Sequence, residues 1–263
     1  MSESARPVGI PDFGDKKRRG EKIAILTAYD ATMARLMDRS GVDALLVGDS
    51  LGTVVMGSAN TLEVTMDIMV HHTRAVAAGT RRAVVIADMP FLSYQTGIRD
   101  AIRNAGRLVQ EGHAAAVKLE GGQHMAETVA RLTEIGIPVM GHLGMTPQSV
   151  HQFGGHRKRP MSEAERLVED ARVLQQAGAF SIVLESIPAK AAQQVTEAVE
   201  IPTIGIGAGP HCDGQVLVSY DALGLFDEFV PSFVKRYAEL GSAVTKAAKD
   251  FAVEVRSGKF PAK

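Results

Sequence analysis

AVVIADMPF, residues 83–91, carries an unbroken apolar run into Asp88, and Pro90 closes the stretch. A continuous run, without polar alternation, suits a strand covered on both faces, as in a parallel sheet. The pattern recurs in ALLVGDS (44–50), AAVKLEGG (115–122) and SIVLESIP (181–188), which end at Asp49, Glu120 and Glu185. A carboxylate just beyond a buried parallel strand lies where α/β proteins do their chemistry. Burying such charge costs several kcal/mol unless a metal, a cation or hydrogen bonds compensate it. Four such positions point to a divalent-metal site with a carboxylate base.

Working outward, a unit recurs from residue 22: an amphipathic stretch, a glycine, then a compact apolar run. The glycines are Gly41, Gly79, Gly112, Gly136 and Gly178, each placed as a helix stop in the left-handed conformation. Strands are expected at 22–29, 44–49, 83–88, 115–120, 137–143, 181–186, 201–207 and 215–220. Eight such runs with helices between them predict a (β/α)8 TIM barrel, with a doubly wound open sheet as the alternative. Ser162 and Glu165 have capping-box spacing ahead of a helix whose Leu167, Val168, Ala171 and Leu174 share a face. GPHCDGQ leaves no room for a helix before the last strand. The chain is thus read as one barrel domain over 1–263, with an N-terminal arm to about residue 21 and a C-terminal helical extension over about 226–263. That extension is expected to pack on the barrel or on a neighbouring subunit.

The 263 residues and 45% hydrophobic content fit one large globular domain. With 29 basic and 30 acidic residues the net charge is -1, so nothing draws the chain to nucleic acid or an anionic membrane. Cys212 alone cannot form an intrachain disulfide, which fits a reducing compartment, read as the cytoplasm. No run has the length of a signal peptide's apolar core at the N-terminus or of a membrane span elsewhere. The expected partners are small molecules.

In a parallel barrel all strand C-termini open on one face, so Asp49, Asp88, Glu120 and Glu185 should converge. Carboxylates with few histidines favour a hard cation such as Mg2+, which keeps waters and takes substrate oxygens. The bland reading of any one of them is a helix cap. Asp49 is followed by Ser50, Leu51 and Gly52, a turn able to present N–H groups to a ligand, with Ser50 orienting it. Lys118 shares a strand face with Glu120 and reads as an anchor for an anionic substrate or as a structural ion-pair partner. His142 falls near the end of the fifth strand, as a ligand contact or a core histidine, whereas His71 and His72 read as helix surface and packing. GIGAG (205–209) lacks a P-loop lysine and reads as tight turning. The basic run at 156–159 could meet a polyanionic cosubstrate or act as a lid.

LTAYD (26–30), GDSLG (48–52), TLEVTMDIM (61–69), ADMPF (87–91), VKLEGG (117–122), GHLGMTPQS (141–149), FGG (153–155), GIGAG (205–209) and DGQVLV (213–218) follow one another along the chain. In these motifs and their order the chain resembles the ketopantoate hydroxymethyltransferase (3-methyl-2-oxobutanoate hydroxymethyltransferase) family. The resemblance implies a barrel of the phosphoenolpyruvate/pyruvate superfamily and hydroxymethyl transfer from 5,10-methylenetetrahydrofolate to 3-methyl-2-oxobutanoate. The product, 2-dehydropantoate, leads to pantothenate and coenzyme A. By motif, the resemblance implies one Mg2+ per subunit on Asp49, Asp88 and Glu120. Ser50 and Lys118 match the family's substrate-binding positions and Glu185 its proton acceptor, and Asp49, Asp88 and His142 are expected to contact the substrate as well. The resemblance implies a homo-oligomer, often decameric. The family's LEC or LEG reads LES here, with Ser186 beside the base. Glu185, desolvated at its strand end, is expected to be a stronger base than free glutamate. Two other readings stand beside this one. A Mg2+-dependent C–C lyase would need a nucleophilic-cysteine loop that has no counterpart here, and a non-catalytic barrel would have no use for four strand-end acids.

Overall fold

The computed structural model describes residues 6–155 and 158–262. Eight parallel strands close a barrel in chain order: β1 (Ile23–Thr27), β2 (Ala44–Val47), β3 (Val84–Asp88), β4 (Ala116–Lys118), β5 (Val139–Gly144), β6 (Ser181–Glu185), β7 (Thr203–Ile206) and β8 (Gly214–Leu217). The strands are shorter than the apolar runs suggest, because each run continues into the turn that follows it. Helices Ala31–Arg39, Met66–Gly79, Ile98–Gln110, Ala126–Glu134, Ala164–Gln176 and Ala189–Ala198 cross between the first seven strands, and no helix separates β7 from β8.

The interior follows from strand parity. Ile23 and Ile25, Ala44 and Leu46, Val84 and Ile86, Ala116, Met140, Val183, Ile204 and Val216 form one buried cluster. Side chains two apart share a face, so the same inward rows continue to Asp88, to Lys118 and Glu120, to His142 and to Glu185. The barrel is therefore apolar at the strand starts and charged at the strand ends. Asp88 and Lys118 are register partners on β3 and β4.

The N-terminal arm is itself an element: Ile10–Arg19 is a helix whose buried Phe13 joins the barrel cluster. Phe13 meets Phe180 edge to face, with ring centroids 5.4 Å apart. Lys16 pairs with Asp43 at 2.9 Å and Lys17 with Asp213 at 3.0 Å, which fixes the helix beneath the strand starts. The charged KKRR run hides this helix from a reading based on apolar periodicity.

Three further expectations are corrected. Gly41, Gly136 and Gly178 are left-handed as expected, but Gly79 and Gly112 are not. A Cβ on Gly79 would lie 2.2 Å from the carbonyl of Ala31, so close packing is what requires glycine there. The capping box at Ser162 and Glu165 does not form: a 3-10 turn occupies Met161–Glu163, and the helix starts at Ala164 without a side-chain cap.

The chain divides into two compact units at Val216/Leu217, earlier than the expected start of the extension. Within the second unit, helix Leu240–Arg256 lies inside the expected C-terminal extension and buries none of its residues. Among the described residues no helix is long and apolar enough to cross a membrane.

Candidate active site

Parity delivers Asp88, Lys118, Glu120, His142 and Glu185 to the C-terminal mouth of the barrel, and the first four of them are buried. Asp49 arrives differently. It lies beyond β2, out of phase with Ala44 and Leu46, in a turn that opens the short helix Leu51–Val54. Its backbone N–H donates to Asp88 Oδ2 at 3.0 Å, which brings two carboxylates together. Gly48 stands at the inward position just before it, and a Cβ there would come within 2.7 Å of Ser50 Oγ and 3.6 Å of Asp88 Oδ2. The missing side chain is the room into which Ser50 and Asp88 fit. Ser50 Oγ lies 2.9 Å from Tyr29 OH.

Lys118 Nζ lies 2.7 Å from Asp88 Oδ1, so the ion pair weighed from the sequence forms. His142 bridges the remaining acids: Nδ1 is 3.5 Å from Glu120 Oε1 and Nε2 is 3.3 Å from Glu185 Oε2. Burial and the Lys118 ammonium oppose a charge on this ring, but the two facing carboxylates, Glu120 and Glu185, prevail and hold its pKa up at about 9. His142 is thus a cation at neutral pH, fixed between two carboxylates. Glu185 is less desolvated than the sequence suggests. Its side chain keeps 16% of its surface exposed, against 4% for Glu120.

Asp49 bears the cost of the cluster. Burial, then the charges of Asp88 and Glu120, raise its pKa to about 8, with Lys118 and Gln148 pulling the other way. This all-oxygen group fits a hard divalent cation: Asp49 and Asp88 stand together, Lys118 pairs with Asp88 alone, and a cation beside Asp49 would relieve the repulsion that raises its pKa. Among the described residues no three or more His, Cys, Asp or Glu side chains are disposed as a metal cage. Glu120 in particular turns one oxygen to the backbone N–H of Gln148 at 3.1 Å and the other to His142. A cation here would rest on Asp49 and Asp88, with Glu120 supplying charge behind them.

Two residues were not singled out from the sequence. Gln148 and Tyr94 are both buried in the mouth, and Tyr94 OH donates to Gln148 Oε1 at 2.8 Å. The only signal for Gln148 was its place at the end of GHLGMTPQS.

The backbone around Glu185 is clamped. Met145 N–H donates to the Glu185 carbonyl at 2.9 Å, and a Cβ on Gly144 would lie 2.3 Å from that oxygen. Ser186 is left-handed, with φ +49°, a conformation that a glycine in the same place adopts without strain. Of the basic run, residues 156 and 157 lie outside the described residues. Arg159 pairs with Glu163 and lies 4.3 Å over the Phe153 ring. His72 Nδ1 lies 2.6 Å from the Tyr29 carbonyl, a packing role as expected. Cys212 is buried in the β7–β8 connection, its carbonyl accepting from Lys22 beside the strand starts, at the end away from the carboxylates.

Solved structures with the same fold include 2,3-dimethylmalate lyase, a PEP mutase/isocitrate lyase superfamily member, with TM-score 0.63 and 19% identity, covering 98% of this chain and 91% of that one. Phosphonopyruvate hydrolase in complex with oxalate and Mg2+ gives TM-score 0.61 at 14% identity, covering 95% and 88%. Curated relatives named 3-methyl-2-oxobutanoate hydroxymethyltransferase are much nearer in sequence. The Pelobacter propionicus protein is 55% identical over 99% of this chain and 97% of its own length. The one from Chlorobaculum tepidum is 56% identical over 94% and 91%. The family model described as ketopantoate hydroxymethyltransferase matches residues 7–263. By this match and these identities, the chain is an enzyme of the ketopantoate hydroxymethyltransferase family.

Proposed function

We propose that the barrel mouth transfers a hydroxymethyl unit from 5,10-methylenetetrahydrofolate to 3-methyl-2-oxobutanoate, giving 2-dehydropantoate for pantothenate synthesis. The observation that carries this reading is the meeting of an acidic pair, Asp49 with Asp88, and a separate carboxylate, Glu185, across one buried face. Asp49 and Asp88 would hold Mg2+, which when bound supplies a Lewis acid that polarises the 2-oxo group and makes C3 acidic.

The chain's own residues do the rest. Lys118, held by Asp88, offers its ammonium to the substrate carboxylate. Ser50, fixed by Tyr29, stands at the same mouth, where its Oγ and Asp88 share the room left by Gly48. Glu185 takes the C3 proton, with His142 Nε2 set 3.3 Å from its Oε2 to orient it. The C3 carbanion then attacks the methylene carbon of the folate, opened to an iminium by breaking one C–N bond; water supplies the hydroxyl as the second C–N bond breaks, and tetrahydrofolate leaves with the returned proton. Partial exposure of Glu185 leaves the abstracted proton a route to water. The same reading includes a cytoplasmic homo-oligomer, a decamer by family resemblance. Its support is the apolar row Val244, Phe251 and Val255, exposed along helix Leu240–Arg256.

The test is C3 deuterium exchange of 3-methyl-2-oxobutanoate with Mg2+, with and without methylenetetrahydrofolate. The wild type should exchange in both arms and form product only with folate. Glu185→Gln should lose exchange while still binding substrate. Undiminished exchange in that variant removes Glu185 as the base.

A further inference from the structure

We propose that Gln148 is a positioning residue for the metal-binding carboxylates, with Tyr94 setting its orientation; the proposal rests on the function proposed above. Gln148 belongs to the short 3-10 turn Pro147–Ser149 after β5 and is a neutral side chain buried among acids. Every polar atom of its amide is used. Nε2 donates to Asp49 Oδ2 and to the Met89 carbonyl, both at 2.9 Å. Oε1 accepts from Tyr94 OH at 2.8 Å and from Gln95 Nε2 at 3.1 Å. Its backbone N–H donates to Glu120 Oε2 at 3.1 Å.

Two consequences follow from this geometry. An amide has a donor end and an acceptor end, and the acceptor-only Met89 carbonyl together with the phenol hydrogen of Tyr94 fixes which end faces Asp49. Tyr94 is buried, and its hydroxyl donates to Gln148 Oε1 at 2.8 Å. The Gln148 NH2 is therefore locked toward Asp49. Second, one residue holds Asp49 by its side chain and Glu120 by its backbone, so the spacing of two like-charged groups from different strands is set by a single turn. Tyr94 strengthens the link by accepting from the Glu120 N–H at 3.1 Å. A neutral donor can do this without adding a charge that competes with the cation.

The test uses Gln148→Met, which keeps length without hydrogen bonds, and Tyr94→Phe, which removes only the hydroxyl. Free Mn2+ measured by electron paramagnetic resonance reports metal binding directly, and C3 exchange gives KM and kcat. Outer-shell partners of metal ligands typically change metal affinity by about 10–100-fold. Gln148→Met should weaken Mn2+ binding by about tenfold or more and Tyr94→Phe by less. The double variant should be no worse than Gln148→Met alone, because the phenol acts through the amide. A merely structural role would lower the melting temperature and leave Mn2+ affinity and its non-additivity unmoved. Unchanged affinity in folded Tyr94→Phe and Gln148→Met, or additive losses, overturns the proposal. Where Gln148→Met fails to fold, an unchanged Mn2+ affinity in Tyr94→Phe is enough to do so. A wild type that binds no Mn2+ overturns the metal reading itself, a result distinguishable from the others.

Discussion

Protonation of the mouth should make the metal-free enzyme lose stability as pH rises through neutrality. Asp49 is raised from 3.8 to about 8 and His142 from 6.5 to about 9. Both folded-state values lie above the unfolded ones, so each group's contribution is fully present below its unfolded pKa and is lost as pH rises toward its folded pKa. Between pH 6.5 and 8 the folded protein keeps protons that the unfolded chain has released. One retained proton is worth about 1.4 kcal/mol per pH unit. Over that window Asp49 alone gives about 2 kcal/mol, and the two groups together about 3–4 kcal/mol. Urea unfolding after chelator treatment, followed by circular dichroism, should show the midpoint falling by roughly 1 M across the window. Asp49→Asn should remove about half of the slope, since it deletes one of the two titrations. Mg2+ at about a hundred times its dissociation constant should restore about 2.7 kcal/mol at pH 8. A flat profile without metal, or a slope that Asp49→Asn leaves intact, would refute the account of strain in the acidic cluster.

Two substitutions separate the ends of the barrel. Phe13→Ala empties a fully buried site in the barrel cluster and should cost about 3–5 kcal/mol in denaturant unfolding, while kcat at low denaturant stays near wild type because the phenyl lies beneath the strand starts. Gly144→Ala would drive a Cβ to 2.3 Å from the Glu185 carbonyl at a residue with φ +98°. Its C3 exchange rate should fall at least tenfold, about 1.4 kcal/mol in the barrier, with substrate binding less affected; normal exchange would show that the β5–β6 contact does not set the base.

The barrel was legible because a parallel strand needs both faces apolar, and that demand is written as runs such as AVVIAD. The inward row was legible too: Ile86 to Asp88 and Lys118 to Glu120 obey period two, so their convergence follows from closure. Asp49 needed a turn, and turns do not carry a period. Its meeting with Asp88 depends on Gly48, whose role only the approach of Ser50 and Asp88 reveals. Gln148 and Tyr94 were missed for the same reason, since each lies beyond a strand end on a path set by tertiary contacts. Gly79 was read as a helix stop and is a close approach instead, because the sequence gives the residue and not its neighbour.

The four strand-end acids look equivalent in the sequence, and the structure divides them by what compensates each. Asp88 has Lys118, Glu120 has the Gln148 N–H and faces His142, and Glu185 has His142 with partial access to water. Asp49 has the neutral Gln148 amide and the repulsion of two neighbours. Two cationic side chains therefore serve four carboxylates, and the shortfall falls on the one held outside the strand register. Lys or Arg at position 148 would cancel it and close the mouth to an added cation. An amide there holds Asp49 in place without adding a cation, so that a divalent metal can take the place of the proton that burial and two neighbouring acids keep on it.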